Sequence, residues 1–294
     1  MGGNGSLEER ISTAVNKLSP KQKSLARFVL DNKYFMSFAP AQQAALKTNT
    51  SPATVVRFAQ AIGYQGFTAM QEALRAELPS YMTAVERMQK RLEDSPDGAE
   101  DPHQMFATDI RNIQRTASKL SKRDLDRAGE EILKADLIYV VGSGLSTGSA
   151  QFLTHSLRVI GFEVRPVLDA GLSMALDLAH IRPSSLLIAI GLWRYVRTTV
   201  KAISAAHQAG ITTIAITDSI ISPLADQADI VFEVDTDSSG PNLSPTAVIS
   251  LINTLVATLA SRAPEKTLES LRKVENAYQE NDLVIVKRDE SISY

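Results

Sequence analysis

The chain has 294 residues, 44% hydrophobic and 22% charged, with a formal net charge of −2 and no cysteine. That length suits two domains and that balance an ordinary globular protein. Without cysteine there are no disulfides, thiolate metal sites or cysteine nucleophiles, which fits a reducing compartment such as the cytoplasm.

The four histidines, His103, His155, His180 and His207, are scattered and show no metal-ligand spacing, so neither metal nor cofactor is expected. The start, "MGGNGS", lacks the basic flank and apolar core of a signal peptide. The most apolar helical stretch, "AVISLINTLVATLA" at 247–260, is too short for a bilayer, so no membrane partner is expected; it should be buried in the core or against a second subunit. Charge is uneven: residues 1–90 hold eleven Lys and Arg against six Asp and Glu, and the remainder twenty against twenty-seven. A basic front on an acidic body points to an anionic partner for the front, nucleic acid included.

In chain order, the first 80 residues read as helical throughout. The basic helix "SPKQKSLARFVLDN" covers 19–32. In "APAQQAALKTNTSPATVVRFAQAIGYQGF", residues 39–67, a helix runs to Lys47, a turn follows at Thr48–Thr50, and Ser51 caps a new helix over 51–62 with Pro52 at its first position. Asn49 tolerates the left-handed conformation such a turn needs. Ala45 is small enough for two helices to cross, and Val55 and Phe58 would pack the second on the first. That is the spacing of a helix-turn-helix whose second helix enters the major groove. Ser51, Ala53, Thr54 and Arg57 are then the outward residues, with Arg57 suited to a guanine edge or a phosphate. Lys47, with Lys21, Lys23 or Arg27, would meet the DNA backbone. The alternative is a helical hairpin used only for dimerisation.

"LEDSPDGAEDPH", residues 92–103, reads as an acidic linker, followed by helices over 104–120 and 121–135. The division expected is 1–80 for DNA binding, 81–120 for linker and connecting helix, 121–280 for an α/β domain, and 281–294 for a tail. From Asp136 apolar runs alternate with helices: strands at 137–141, 162–167, 186–190, 211–217 and 230–234, helices at 147–160, 170–180, 196–209, 245–261 and 265–280, and a short turn at 222–227. Continuous apolar strands are those buried on both faces of a parallel sheet, so this half predicts a three-layer α/β/α domain with a five-stranded parallel sheet. Ligands in such sheets sit at the carboxyl ends of strands. The loop "GSGLST", 142–147, lies at such an end. Its glycines and the helix N-terminus behind it suit an anion, with Ser143, Gly144, Ser146 and Thr147 as candidate contacts.

These motifs carry a resemblance. Ser51, Thr54, Val55, Arg57 and Phe58, then Gly63, Tyr64, Gly66 and Phe67, are similar to the Ser-x-x-Thr-Val-x-Arg-Phe and Gly-(Tyr/Phe)-x-Gly-Phe runs of the RpiR/MurR-type bacterial transcription regulators. Their second domain has the sugar isomerase (SIS) fold, and Gly142, Gly144 and Ser146 match its first loop. Thr217, Ser222, Pro223, Leu224, Ala225, Ala228 and Asp229 resemble its later motif; these shape a loop and cap a short helix, with direct ligand contact by Thr217 or Asp218 as the alternative. The resemblance spans about residues 7 to 280. It implies a ligand-responsive regulator, homodimeric or homotetrameric, binding an operator arranged as an inverted repeat. It also implies a small-molecule effector derived from sugar or otherwise anionic. The alternative is an SIS-fold sugar-phosphate isomerase with a helical appendage. An isomerase needs a base, and His155, His180 and Glu163 have no acid partner at readable spacing, so no catalytic residue and no enzyme are expected.

One loop departs from the family. Its Ser-x-Ser-Gly-x-Thr pattern is "GLWRYV" here, residues 191–196, with Gly191, Trp193 and Val196 at the three hydroxyl positions and Arg194 at the glycine. Hydrogen bonds to a charged ligand group, each worth about 1–3 kcal/mol, are lost. Trp193, Arg194 and Tyr195 offer instead a ring to stack on and a guanidinium for a carboxylate or phosphate. The alternative is that the aromatics pack at a subunit interface and Arg194 is solvated.

Overall fold

A computed structural model of the chain describes residues 6–77, 82–94, 102–167, 172–238 and 240–285. Its contacts divide into two units, 1–112 with 219–226 and 236–244, and 113–218 with 227–235 and 245–294.

The N-terminal unit is helical: α1 (Leu7–Ala14), α2 (Pro20–Asp31), α3 (Lys33–Phe38), α4 (Ala41–Lys47), α5 (Pro52–Ala61) and α6 (Phe67–Glu77). Reciprocal capping boxes start α1 and α2. The Ser6 and Ser19 hydroxyls accept from the amides of Glu9 and Gln22, whose side chains accept from the Ser6 and Ser19 amides. Apolar residues at helical spacing, among them Leu25 and Val29, Val55 and Phe58, and Met70 and Leu74, meet in one buried core. Gln71 donates to the Met36 and Ala39 carbonyls at 3.1 and 3.0 Å and Arg75 to that of Ser37 at 2.7 Å, so α6 supplies the donors that the end of α3 lacks.

Helix α7 spans Ala84–Asp94 and α8 spans Pro102–Lys119. The acidic linker is therefore shorter than its composition suggests, because helix reaches into both of its ends; residues 95–101 lie outside the described residues. Arg87 of α7 is held by the Pro241 carbonyl, which accepts from Nε at 3.0 Å and Nη2 at 2.8 Å.

The second unit includes α9 (Lys122–Lys134). Its strands are β1 (Leu137–Gly142), β2 (Val164–Val167), β3 (Ser185–Gly191), β4 (Thr212–Thr217) and β5 (Ile230–Glu233), separated by α10 (Thr147–Val159), α11 (Leu172–Ala179) and α12 (Arg197–Gln208). Helices α13 (Thr246–Arg262) and α14 (Pro264–Glu280) follow. The five strands form one parallel sheet in the order β2-β1-β3-β4-β5. Every residue of β3 is buried, as a continuous apolar run at the centre of a covered sheet requires. Asp229 ties β4 to the segment before β5, accepting from the Thr213 amide at 2.8 Å and hydroxyl at 2.9 Å. Ser222 accepts from the Ala225 amide at 3.1 Å, capping the short turn at 225–227.

Helix α13 buries Val248, Leu251, Ile252, Leu255 and Leu259 and packs on α9 and α10. Its other side carries exposed Asn253, Thr254 and Ala257, and the Ser250, Thr254 and Thr258 hydroxyls donate back to carbonyls of their own helix. Its apolar stripe is thus used within the domain. No single helix among the described residues is long and apolar enough to cross a membrane.

Candidate functional site

The turn between α4 and α5 is built as its residues dictate. Asn49 has φ of 50°, the Thr50 amide donates to the Ala45 carbonyl at 2.9 Å, and the Asn49 amide donates to that of Leu46 at 3.3 Å. That pair of bonds closes α4 as a Schellman motif around a left-handed residue. Ser51 then accepts from the Thr54 amide at 3.2 Å, with Pro52 at the first position of α5. Ala45, Val55 and Phe58 are buried between the helices.

Lys47, Ser51, Ala53 and Arg57 are exposed and Thr54 is half-buried. The Ser51 and Thr54 hydroxyls lie 2.9 Å apart and bond to each other. Lys21, Lys23 and Arg27 on α2 are also exposed. A guanidinium or ammonium in water with no internal partner retains its charge for an external anion.

The second site lies where the sheet reverses its winding. From β1 the chain goes to β2 on one side and then to β3 on the other, so the loops after β1 and β3 leave neighbouring strand ends at the switch in strand order, where sheets of this kind bind ligands. Gly142 pairs with Ile190, and a Cβ on Gly144 would lie 3.6 Å from Val196 Cγ2, which brings residues 142–147 and 191–197 side by side. In the first loop Ser143 is half-buried, Gly144 exposed with φ of 62°, Ser146 buried and Thr147 half-buried. Helix α10 starts at Thr147 directly behind a 3-10 turn over Gly144–Ser146, and the Thr147 amide donates to the Gly144 carbonyl.

Gly142 is required by close approach: a Cβ there would lie 2.9 Å from both Ala150 Cβ and the Ser146 carbonyl oxygen. Gly142→Ala should lower stability by about 1–3 kcal/mol through overpacking, measured by urea denaturation. Gly148→Ala is the control, since its Cβ would meet nothing within 4 Å. Equal stability of the two variants would show the first loop to be looser than this packing.

In the second loop Trp193 and Tyr195 are half-buried and Arg194 exposed. The two rings meet edge to face, centroids 5.9 Å apart at 86°. Both lean on Asp218, which follows β4 and is 5% exposed. Its Oδ1 accepts from the Tyr195 hydroxyl at 2.9 Å and its Oδ2 from the Trp193 amide at 3.2 Å. Burial pushes the Asp218 carboxyl up to about 6, while the hydrogen bonds from Tyr195, Trp193 and Thr217 pull the other way. The Tyr195 hydroxyl is engaged with Asp218, which leaves its ring as the part that could meet a ligand. Two hydroxyls stand in the first turn of α12: those of Thr198 and Thr199 are buried and have no hydrogen-bond partner among the described residues. His155 and Glu163 are exposed, and His180 Nδ1 lies 2.9 Å from the Leu176 carbonyl.

Comparison with known proteins follows the same division. A model described as a helix-turn-helix domain of the rpiR family matches residues 5–81, and a SIS domain model matches 131–262. The chain is 38% identical to the sugar isomerase domain of an RpiR transcription factor from Sphaerobacter thermophilus, covering 98% of that chain and 60% of its own, with a TM-score of 0.59. An HTH-type transcriptional regulator of Haemophilus influenzae is 26% identical over 283 residues, 91% of this chain and 97% of the relative. The Vibrio vulnificus NanR protein, solved in complex with ManNAc-6P, shares the fold over 96% of this chain and all of its own, at 21% identity and a TM-score of 0.66.

Proposed function

The chain belongs to the rpiR family of transcriptional regulators, a DNA-binding helix-turn-helix domain joined to a SIS domain, and from that membership we propose that its SIS domain senses an anionic, sugar-derived metabolite and relays its presence to an operator. The observation that carries the reading is the pair of loops, 142–147 and 191–197, side by side at the winding reversal of the sheet. The amides opening α10, with Ser143, Gly144, Ser146 and Thr147, would hold one anionic or hydroxyl-rich end. Arg194 would pair with a carboxylate or phosphate, Trp193 would stack on the rest, and the Tyr195 ring would back it. The ligand of NanR, a sugar phosphate by its name, supports the same class.

On the DNA side, α5 would lie in the major groove with Arg57 on a base edge or phosphate, Lys47 on the backbone, and Ser51, Ala53 and Thr54 at the helix entry. One such helix reads few base pairs, so the protein would act as a dimer or tetramer on an inverted repeat. Residues 1–80 would bind DNA, 81–120 connect and 121–280 sense, in the cytoplasm. The regulator names of relatives that share both domains favour a sensor over a catalyst.

The test is a titration with ManNAc-6-phosphate, glucose 6-phosphate, 6-phosphogluconate and citrate, followed by the emission of Trp193, the one tryptophan of the chain. Binding should shift that emission and raise the melting temperature. Arg194→Ala should weaken it about tenfold or more, the value of a charge-assisted hydrogen bond. A plain hexose phosphate should bind less well than to a regulator that keeps the loop hydroxyls. Tight binding of glucose 6-phosphate, silent in fluorescence and indifferent to Arg194→Ala, would refute the assignment of the second loop.

A further inference from the structure

The loop after β3 has exchanged a hydroxyl framework for bulk, yet it is fastened. The residues on either side of Arg194 bond to the two oxygens of a single carboxylate: the Trp193 amide to Asp218 Oδ2 and the Tyr195 hydroxyl to Asp218 Oδ1. Thr217 Oγ1, at the end of β4, lies 3.4 Å from the same Oδ1. Asp218 thus follows directly on an inner strand, at the point where the pairing of β4 with β3 ends at Gly191 and Thr217. Between the two anchored residues only the Arg194 side chain stands exposed. The Trp193 and Tyr195 rings, packed edge to face, close the third side of the bracket.

Burying a carboxylate is unfavourable, and burial raises the proton affinity of this one. Serine or threonine at the loop positions would bond ligand directly, with no need of such an anchor. The anchor makes sense if the loop's recognition group is a long flexible side chain. An arginine on a slack loop must order both backbone and side chain when it binds; an arginine whose two neighbours are already pinned orders only its own.

We propose that Asp218 is a positioning residue for effector recognition, holding Trp193 and Tyr195 so that Arg194 is presented as a preset cation to a carboxylate or phosphate group of the effector. The proposal rests on the reading of the 142–147 and 191–197 crevice as the effector site. It assigns the selectivity of the substituted loop to a residue that follows a different strand, touches the loop and acts through it.

The test uses the full chain and its single tryptophan, with acrylamide as neutral quencher and iodide as probe anion. Tyr195→Phe keeps the ring and removes the hydroxyl; Asp218→Ala removes the acceptor. Each should melt as a folded protein while acrylamide quenching of Trp193 rises about twofold or more, the population change expected from losing a hydrogen bond. The double variant should add little to either single change, because both remove the same interaction. Iodide separates positioning from mere support. In the parent, a preset guanidinium next to the indole should make iodide quench more strongly than acrylamide does, and Arg194→Ala should abolish that excess. Tyr195→Phe, which leaves every formal charge in place, should abolish it too. Were Asp218→Ala not to fold, Tyr195→Phe decides alone. Parent-like acrylamide quenching in Tyr195→Phe, additivity in the double variant, or an iodide excess that survives Tyr195→Phe would each overturn the proposal. No effector or DNA enters these measurements, so failure of the effector assignment, seen as absent binding in the titration above, is distinguishable from failure of the brace.

Discussion

Phe58→Ala is expected to destabilise the N-terminal domain by about 3–5 kcal/mol, the cost of deleting a buried aromatic ring and leaving its cavity. Phe58 is 0% exposed and lies on the inner face of α5 with Val55 and Ala59. A small helical domain has only a few kcal/mol to lose, so the change should unfold a large fraction of it near room temperature. Helical circular dichroism in a urea titration reads the loss directly. DNA binding should disappear with it, while Trp193 emission, which reports the sheet domain, stays as in the parent. A loss below about 1 kcal/mol would place Phe58 outside a close-packed core.

Arg57→Ala should do the opposite: retain the fold and lose the operator. The side chain is exposed in the protein alone, so its removal leaves no buried group unsatisfied and stability should move by less than about 0.5 kcal/mol. Specific binding should weaken by about 1–3 kcal/mol if the guanidinium grips a base edge. Fluorescence anisotropy on operator and scrambled DNA across salt concentrations separates the modes. Loss on the operator alone marks a base contact; loss on both, with the salt slope reduced by about one, marks a phosphate contact. Affinity equal to the parent's at every salt concentration would remove Arg57 from the interface.

The helix-turn-helix was legible because its determinants are local. A left-handed Asn49, a Ser51 cap and Pro52 at the first helical position are requirements of backbone geometry at single residues, and each is met where the sequence puts it. The parallel sheet was legible for a related reason: a strand such as β3, buried at every residue, must be apolar throughout, and few folds cover a strand on both faces. Helix ends were less legible. The acidic, proline-bearing linker conceals helical residues up to Asp94 and from Pro102, because a charged solvated helix and a charged loop have similar composition.

At the second site the sequence by itself determined which residue types stand at the strand ends: glycines and serines after β1, an indole, a guanidinium and a phenol after β3. It could not say what those groups are bonded to. That Tyr195 donates to Asp218, twenty-three positions on, follows from strand order alone. Only when β4 lies beside β3 does the residue after Thr217 come under the loop after Gly191. The same holds for the adjacency of the two loops, which arises because β1 and β3 are neighbours although β2 comes between them in the chain. Backbone conformation and burial are written locally, in the conformational limits and water affinity of each residue. Hydrogen-bond partners across strands are decided by sheet order, which is set by the packing of the whole domain.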